Sequence, residues 1–297
     1  MSSHGNSPAT ARWSLLALLA GGICIAFAPI FVRLADTGPV SVVVWRMGLS
    51  IPFVLALAWN EGARRTVREA PPRAWLWLVA SGLMLGADLA LWHIAIHMTS
   101  VANSTFLINL APLFVTLGAW WFLSERVGSG FVLALVCAIA GAALLVRASF
   151  GAGEALRGDL VALLAAVFYA GYQLTVKYCR RYFSTWTILA GTASVAAVSL
   201  LPVVVALDET FWPRSAQGWG AVVGIALVCQ VLGQGLITWA VGHIRANMAS
   251  IGLLIQPVTA AWLAVLIFGE TMSVMQVLGC VLVLFGIALA RRNNGKA

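Results

Sequence analysis

Ten apolar runs, each about 20 residues long, follow one another along this chain with only short polar connections between them. They fall at residues 13–35, 40–60, 73–96, 101–124, 129–147, 158–178, 184–207, 216–241, 247–268 and 272–290. At a rise of about 1.5 Å per residue, a helix of that length crosses the hydrocarbon layer of a bilayer. Backbone polar groups inside hydrocarbon must satisfy one another, and a single apolar run can do so only as an α-helix. The third and fourth runs almost touch, as do the eighth and ninth, but each joined run is too long for one crossing. The expected fold class is an all-α integral membrane protein with ten transmembrane helices.

Composition closes the soluble alternative. Hydrophobic residues make up 61% of the chain and charged residues 9%, against about a quarter charged in an average globular protein. The net charge of +8 does not point to nucleic acid, because the basic residues sit in short clusters between apolar runs. There is no phosphate-binding loop, no zinc spacing and no basic stripe with interleaved aromatics. The five cysteines (Cys24, Cys137, Cys179, Cys229 and Cys280) are dispersed, mostly within apolar runs, and read as small apolar fillers rather than a disulfide or metal framework. No cofactor and no metal are expected. The run beginning near Trp13 lacks a cleavage pattern and reads as a retained span.

Ten crossings put both termini on one side, and the basic residues choose it. Arg12, Arg64, Arg65, Arg68, Arg73, Arg126, Lys177, Arg180, Arg181, Arg245, Arg291, Arg292 and Lys296 fall on one side; Arg33, Arg147, Arg157 and Arg214 fall on the other. Basic connections stay cytoplasmic, so both termini are expected there, in a bacterial-type inner membrane. Trp13, Trp59, Trp75, Trp77, Trp186, Trp212 and Trp219 lie near span ends, where indole suits the interface. Trp45, Trp92 and Trp239 lie deeper.

The chain also matches itself at an ungapped offset of 145 residues. Leu110-Ala111-Pro112 falls on Ile255-Gln256-Pro257, Glu125 on Glu270, Gly141 on Gly286, Arg147 on Arg292 and Arg12 on Arg157. The expected organisation is a tail (1–12), a first five-helix repeat (13–147), a linker (148–157), a second repeat (158–291) and a short tail (292–297). A five-helix repeat reverses direction in its second copy, so the halves are inverted. That architecture gives inward-open and outward-open states of similar energy and points to transport by alternating access.

Several motifs spread along the chain resemble the drug/metabolite transporter superfamily, specifically its EamA-type ten-helix members. They are Pro29-Ile30-Phe31-Val32-Arg33, Trp45-Arg46, Asn109-Leu110-Ala111-Pro112, Ser124-Glu125-Arg126, Phe268-Gly269-Glu270 and the opening Gly158-Asp159-Leu160 of the second half. Within that superfamily the chain looks like the bacterial aromatic-amino-acid exporter group (YddG-like). The resemblance implies export of amino acids or related metabolites, with other small organic or cationic toxic compounds as the alternative, and no enzymatic activity. An intramembrane aspartyl protease would need two approaching carboxylates, and Asp88 is the one clear mid-span carboxylate.

Asp88 lies mid-span in the third helix, where a lipid-facing carboxylate is costly, so it is expected to face the interior. Arg46 lies at a compatible depth. The two read either as an ion pair locking helices or as a cavity or proton-coupling pair. At the 145 offset they map to Gly191 and Gly233, so both charges are absent from the second half. Residues four apart share a helix face. On that basis Asp88 groups with Trp92 and neighbouring His93, Gln230 with Gln234, Thr238 and adjacent Trp239, and Tyr169 with Gln173 and nearby Tyr172. These stripes read as the wall of a central cavity, or as polar glue between helices. Asn103, Asn109, Gln256 and Thr259 surround Pro112 and Pro257, which with Pro29 are the expected kinks; the four polar residues read as partners for the freed carbonyls or as further lining of the cavity. His93 and His97, one turn apart, read as structural histidines. Glu125 and Glu270, at helix ends, are expected to cap or to pack against nearby basic groups. The expected partners are a small-molecule substrate and membrane lipid, with a monomer as the working unit.

Overall fold

The computed structural model describes residues 8–60, 69–111, 113–115, 117–118, 129–148, 153–241, 253 and 255–294. Pro112, Glu125 and the connections carrying Arg64, Arg65, Arg68, Arg126 and Arg245 lie outside them, as do His4 and Lys296. Among the described residues there is helix and no strand. Helices α1 (Pro8–Ala26) and α2 (Ala28–Leu34) form the first span, α3 (Pro39–Asn60) the second and α4 (Pro72–Met98) the third. Helix α5 (Val101–Ile108) opens the fourth and α6 (Ser129–Ala148) is the fifth. The sixth and seventh are α7 (Gly153–Cys179) and α8 (Thr185–Ala206). The eighth runs through α9 (Ala216–Gly224), a π-helical segment (Ile225–Gly233) and α10 (Gln234–Val241). Helices α11 (Ile255–Phe268) and α12 (Val274–Asn294) complete the set. Each of the ten apolar runs therefore holds helix.

Six described helical stretches are long and apolar enough to cross a bilayer: Trp13–Leu34, Pro39–Trp59, Pro72–Met98, Gly153–Cys179, Thr185–Ala206 and Ala216–Ile237. Shorter apolar helices occupy the other runs. Local chemistry explains several ends. Ser100, Ser184 and Ser215 each accept a bond from the backbone N–H three residues on, satisfying a donor that the first turn leaves open. The first span breaks at Phe27, because Pro29 has no N–H to give to the carbonyl of Ile25. Pro257 sits in the first turn of α11, where a missing N–H costs nothing within the helix.

The helix packing follows the repeat. The second span packs on the seventh, the fourth on the ninth and the fifth on the tenth. The third packs on the sixth and the first on the eighth, contacts that exchange when the halves are swapped. Glu209, just past the C-terminus of α8, accepts bonds from the N–H groups of Val40 and Ser41 at the N-terminus of α3, at 3.2 and 2.8 Å. Equivalent helices of the two repeats thus run antiparallel, as inversion requires.

Without a hydrophobic drive between helices in lipid, small residues let backbones approach and gain dispersion contacts. A Cβ on Gly141 would lie 2.8 Å from the Gly279 carbonyl oxygen, and one on Gly279 would lie 2.9 Å from that of Gly141. Helices α6 and α12 therefore meet backbone to backbone. Large apolar side chains such as Leu76, Val205, Trp262 and Val274 stay exposed on the periphery, as a lipid-facing surface demands.

Candidate transport cavity

A cavity of about 170 Å³ lies at mid-depth between the two repeats. Its walls come from the first, second, third, fourth, sixth, seventh, eighth and ninth spans. The apolar part is built from Ile25, Pro29, Leu85, Leu89, Ile108, Leu189, Ile237, Leu253 and Ala260. The polar part holds Arg46, Asp88, Trp92, Thr105, Asn109, Tyr169, Tyr172, Gln230, Gln234 and Gln256. The rings of Tyr169 and Tyr172 stack with centroids 6.0 Å apart, giving one flank an aromatic surface.

Arg46 and Asp88 share this wall without touching. Among the described residues no nitrogen of Arg46 lies within 4.0 Å of an oxygen of Asp88. The Arg46 Nε instead donates to Gln230 Oε1 at 3.0 Å. Gln230 is carried on the π-helical segment, whose wider turn is a frequent feature of functional sites. Asn109 donates from Nδ2 to the Thr105 carbonyl at 2.7 Å, tying off the end of α5. Thr105 lines the cavity too, and the sequence reading missed it. It stands four residues before Asn109 on the same face, so the signal was available.

Other residues expected in the wall are placed elsewhere. His93 is fully buried, with Nδ1 3.2 Å from the Pro39 carbonyl, and joins the second and third spans rather than the cavity. Asn103 belongs to a separate polar cluster: it donates to Asp159, which also accepts from Thr99, and it accepts from Gln276. That cluster ties the ends of the fourth, sixth and tenth spans. Trp239 points outward with 43% of its surface exposed. Gln173 and Thr259 are half-buried away from the cavity. The side chain of Thr238 lies outside the described residues. Each displacement has one cause: a face four residues wide is fixed by the helix, but the neighbour covering it is fixed by the packing.

The face carrying few basic residues is tightly fastened. Arg33, ending the first span, pairs with Glu270, beyond the ninth. The same guanidinium donates to the carbonyls of Ile96 and Thr99, and Glu270 also accepts from the Val101 N–H. Phe268 lies under the guanidinium, 5.3 Å from ring centroid to Cζ. Four span ends thus converge on one ion pair above the cavity. Trp45, deep by sequence count, donates to the Phe211 carbonyl at 2.8 Å and packs against Phe211, Trp212 and Trp219. Asp36 crosses to the N-terminus of α9, where its carboxylate accepts from the Arg214 N–H. Its bond with the Ser215 side chain, then those with the Arg214 and Ser215 backbone, hold that carboxyl below its ordinary range.

Comparisons with known proteins agree with this architecture. The model of the EamA-like transporter family matches the chain twice, over residues 12–147 and 156–292. The pseudopaline exporter CntI of Pseudomonas aeruginosa is 25% identical over 282 residues, covering 95% of this chain and 96% of the relative. The uncharacterized transporter YwfM of Bacillus subtilis is 27% identical over 223 residues, covering 74% and 75%. A crystal structure at 21% identity superposes with a TM-score of 0.65 over 96% of this chain and 98% of its own, and shares the fold. Two inverted helical repeats around a mid-depth cavity, each matched along nearly its whole length, place this chain in the EamA-like transporter family as a multi-pass membrane transporter, not an enzyme.

Proposed function

We propose that this protein exports amphipathic amino acids, aromatic ones included, and related small metabolites by alternating access through the central cavity. The observation that carries the reading is the cavity wall itself: largely apolar, flanked by stacked Tyr169 and Tyr172, with one acid and one base. Such a lining suits a small ligand with an apolar side chain and a compact polar head. The likeness to a pseudopaline exporter supports outward movement of a small metabolite. The excess of Lys and Arg on the side of the termini supports a cytoplasmic location for both ends in a bacterial-type inner membrane. On that orientation the Arg33–Glu270 pair closes the extracytoplasmic mouth, and its separation opens it. The test is uptake of a panel of radiolabelled amino acids into proteoliposomes, with and without a pH gradient. Saturable flux of aromatic or other amphipathic amino acids is expected, and absence of saturable flux for every amino acid overturns the reading.

A further inference from the structure

Six buried side-chain nitrogen or oxygen atoms lack a hydrogen-bond partner among the described residues, and four of them belong to the cavity wall. They are Arg46 Nη1, Asp88 Oδ1, Trp92 Nε1 and Thr105 Oγ1. Their residues are between 2% and 7% exposed. Buried polar atoms are normally satisfied, so four open ones around a single cavity mark where a ligand supplies the missing partners. Their chemistry is divided. Arg46 Nη1 and Trp92 Nε1 only donate, Asp88 Oδ1 as a carboxylate oxygen accepts, and Thr105 Oγ1 does either.

We propose that Arg46 and Asp88 bind the opposite ends of one zwitterionic substrate, the carboxylate on Arg46 and Trp92 and the ammonium on Asp88. This rests on the export of amino acids proposed above and assigns their recognition. An ion of one sign satisfies one of the two buried charges and leaves the other bare. A zwitterion neutralises both at once, and a buried charge is tolerated only when paired. Arg46 and Asp88 do not pair and both border the same cavity, so a ligand there lies against each, and the Gln230 bond to Nε fixes the guanidinium in that pose. Asp88 and Trp92 lie one turn apart on the third span, so the same helix face presents an acceptor and a donor to adjacent groups of the ligand.

The test uses three probes with one side chain: L-phenylalanine, its amide, which lacks the carboxylate, and 3-phenylpropanoate, which lacks the ammonium. Each competes for labelled phenylalanine transport by the purified full-length protein in proteoliposomes. Both truncated probes are expected to compete about 100-fold more weakly, because each leaves a buried group of the site unpaired. In Asp88→Asn the ratio of 3-phenylpropanoate to phenylalanine affinity rises; in Arg46→Gln the ratio for the amide rises. Wild-type protein needs no variant to decide the matter. If it transports phenylalanine but the three probes compete equally, the zwitterion assignment fails and the export reading stands. If it transports no phenylalanine while carrying another amphipathic amino acid, that amino acid, its amide and its deaminated acid serve as the three probes, and equal competition among them overturns the assignment. Equal loss of all three probes in both variants also overturns it.

Discussion

Glu270→Gln should open the charge-poor mouth of the cavity. In the closed arrangement Arg33 has three partners: Glu270 and the carbonyls of Ile96 and Thr99. The amide keeps an acceptor for the Val101 N–H but removes the charge that holds the guanidinium. The two side chains are 22% and 16% exposed, so the pair is neither a surface bridge, worth under about 1 kcal/mol, nor a fully buried one. A charge-assisted bond in that setting contributes about 2 kcal/mol. When the mouth opens both groups meet water, so nearly all of this is lost from the closed state alone. About 2 kcal/mol is a factor of roughly 30 in the closed-to-open ratio. The assay places a single reporter cysteine at Ala260 in the cavity wall, with the five native cysteines replaced. Its labelling by a membrane-impermeant maleimide is followed from the charge-poor side. The rate should rise about 30-fold in Glu270→Gln, provided that side is closed in most molecules. An unchanged rate with an intact fold would refute the gate.

Other consequences follow from packing and from the loops. Gly141→Ala puts a methyl 2.7 Å from the Val283 nitrogen and 2.8 Å from the Gly279 oxygen, both backbone atoms that cannot yield. It should destabilise by about 2 kcal/mol through overpacking, seen as a lower Tm of the detergent-solubilised protein. Gly48, in the interior of α3, has nothing within 4 Å of an added Cβ, so Gly48→Ala should instead raise the Tm slightly through helix propensity. Asp36 titrates below its ordinary value of 3.8 in the folded protein. Its contribution is therefore complete above that value and is lost as pH falls through the lowered folded pKa. Thermal stability measured from pH 6 to pH 3 should fall less steeply in Asp36→Asn than in the wild type.

Much of the fold was legible because hydrocarbon is an exacting solvent. It forces every crossing to be helical and apolar, so ten runs read directly as helix. The 145-residue register then implied two halves, and the exchange of contacts between them follows. The site was legible only by face. Asp88, Arg46, Gln230 and Gln234 had to leave lipid, and all four line one cavity. His93 and Asn103 had to leave lipid as well, yet they went to other helix pairs. Nothing in their spacing separates the two destinations, because an interior face of a helix bundle can meet either a neighbour or a cavity.

The sequence by itself determined an all-helical membrane transporter made of two inverted repeats, and the depth at which its few intramembrane charges sit. Those depend on composition and periodicity, which act along one helix at a time. Only the tertiary structure decided that Arg46 and Asp88 line one cavity without pairing, that Gln230 holds the guanidinium, and that Arg33 reaches Glu270 across 237 positions of chain. Such pairs depend on which helices cross and where, and in lipid the crossing is set by close packing of small residues such as Gly141 and Gly279 rather than by any pattern within one span.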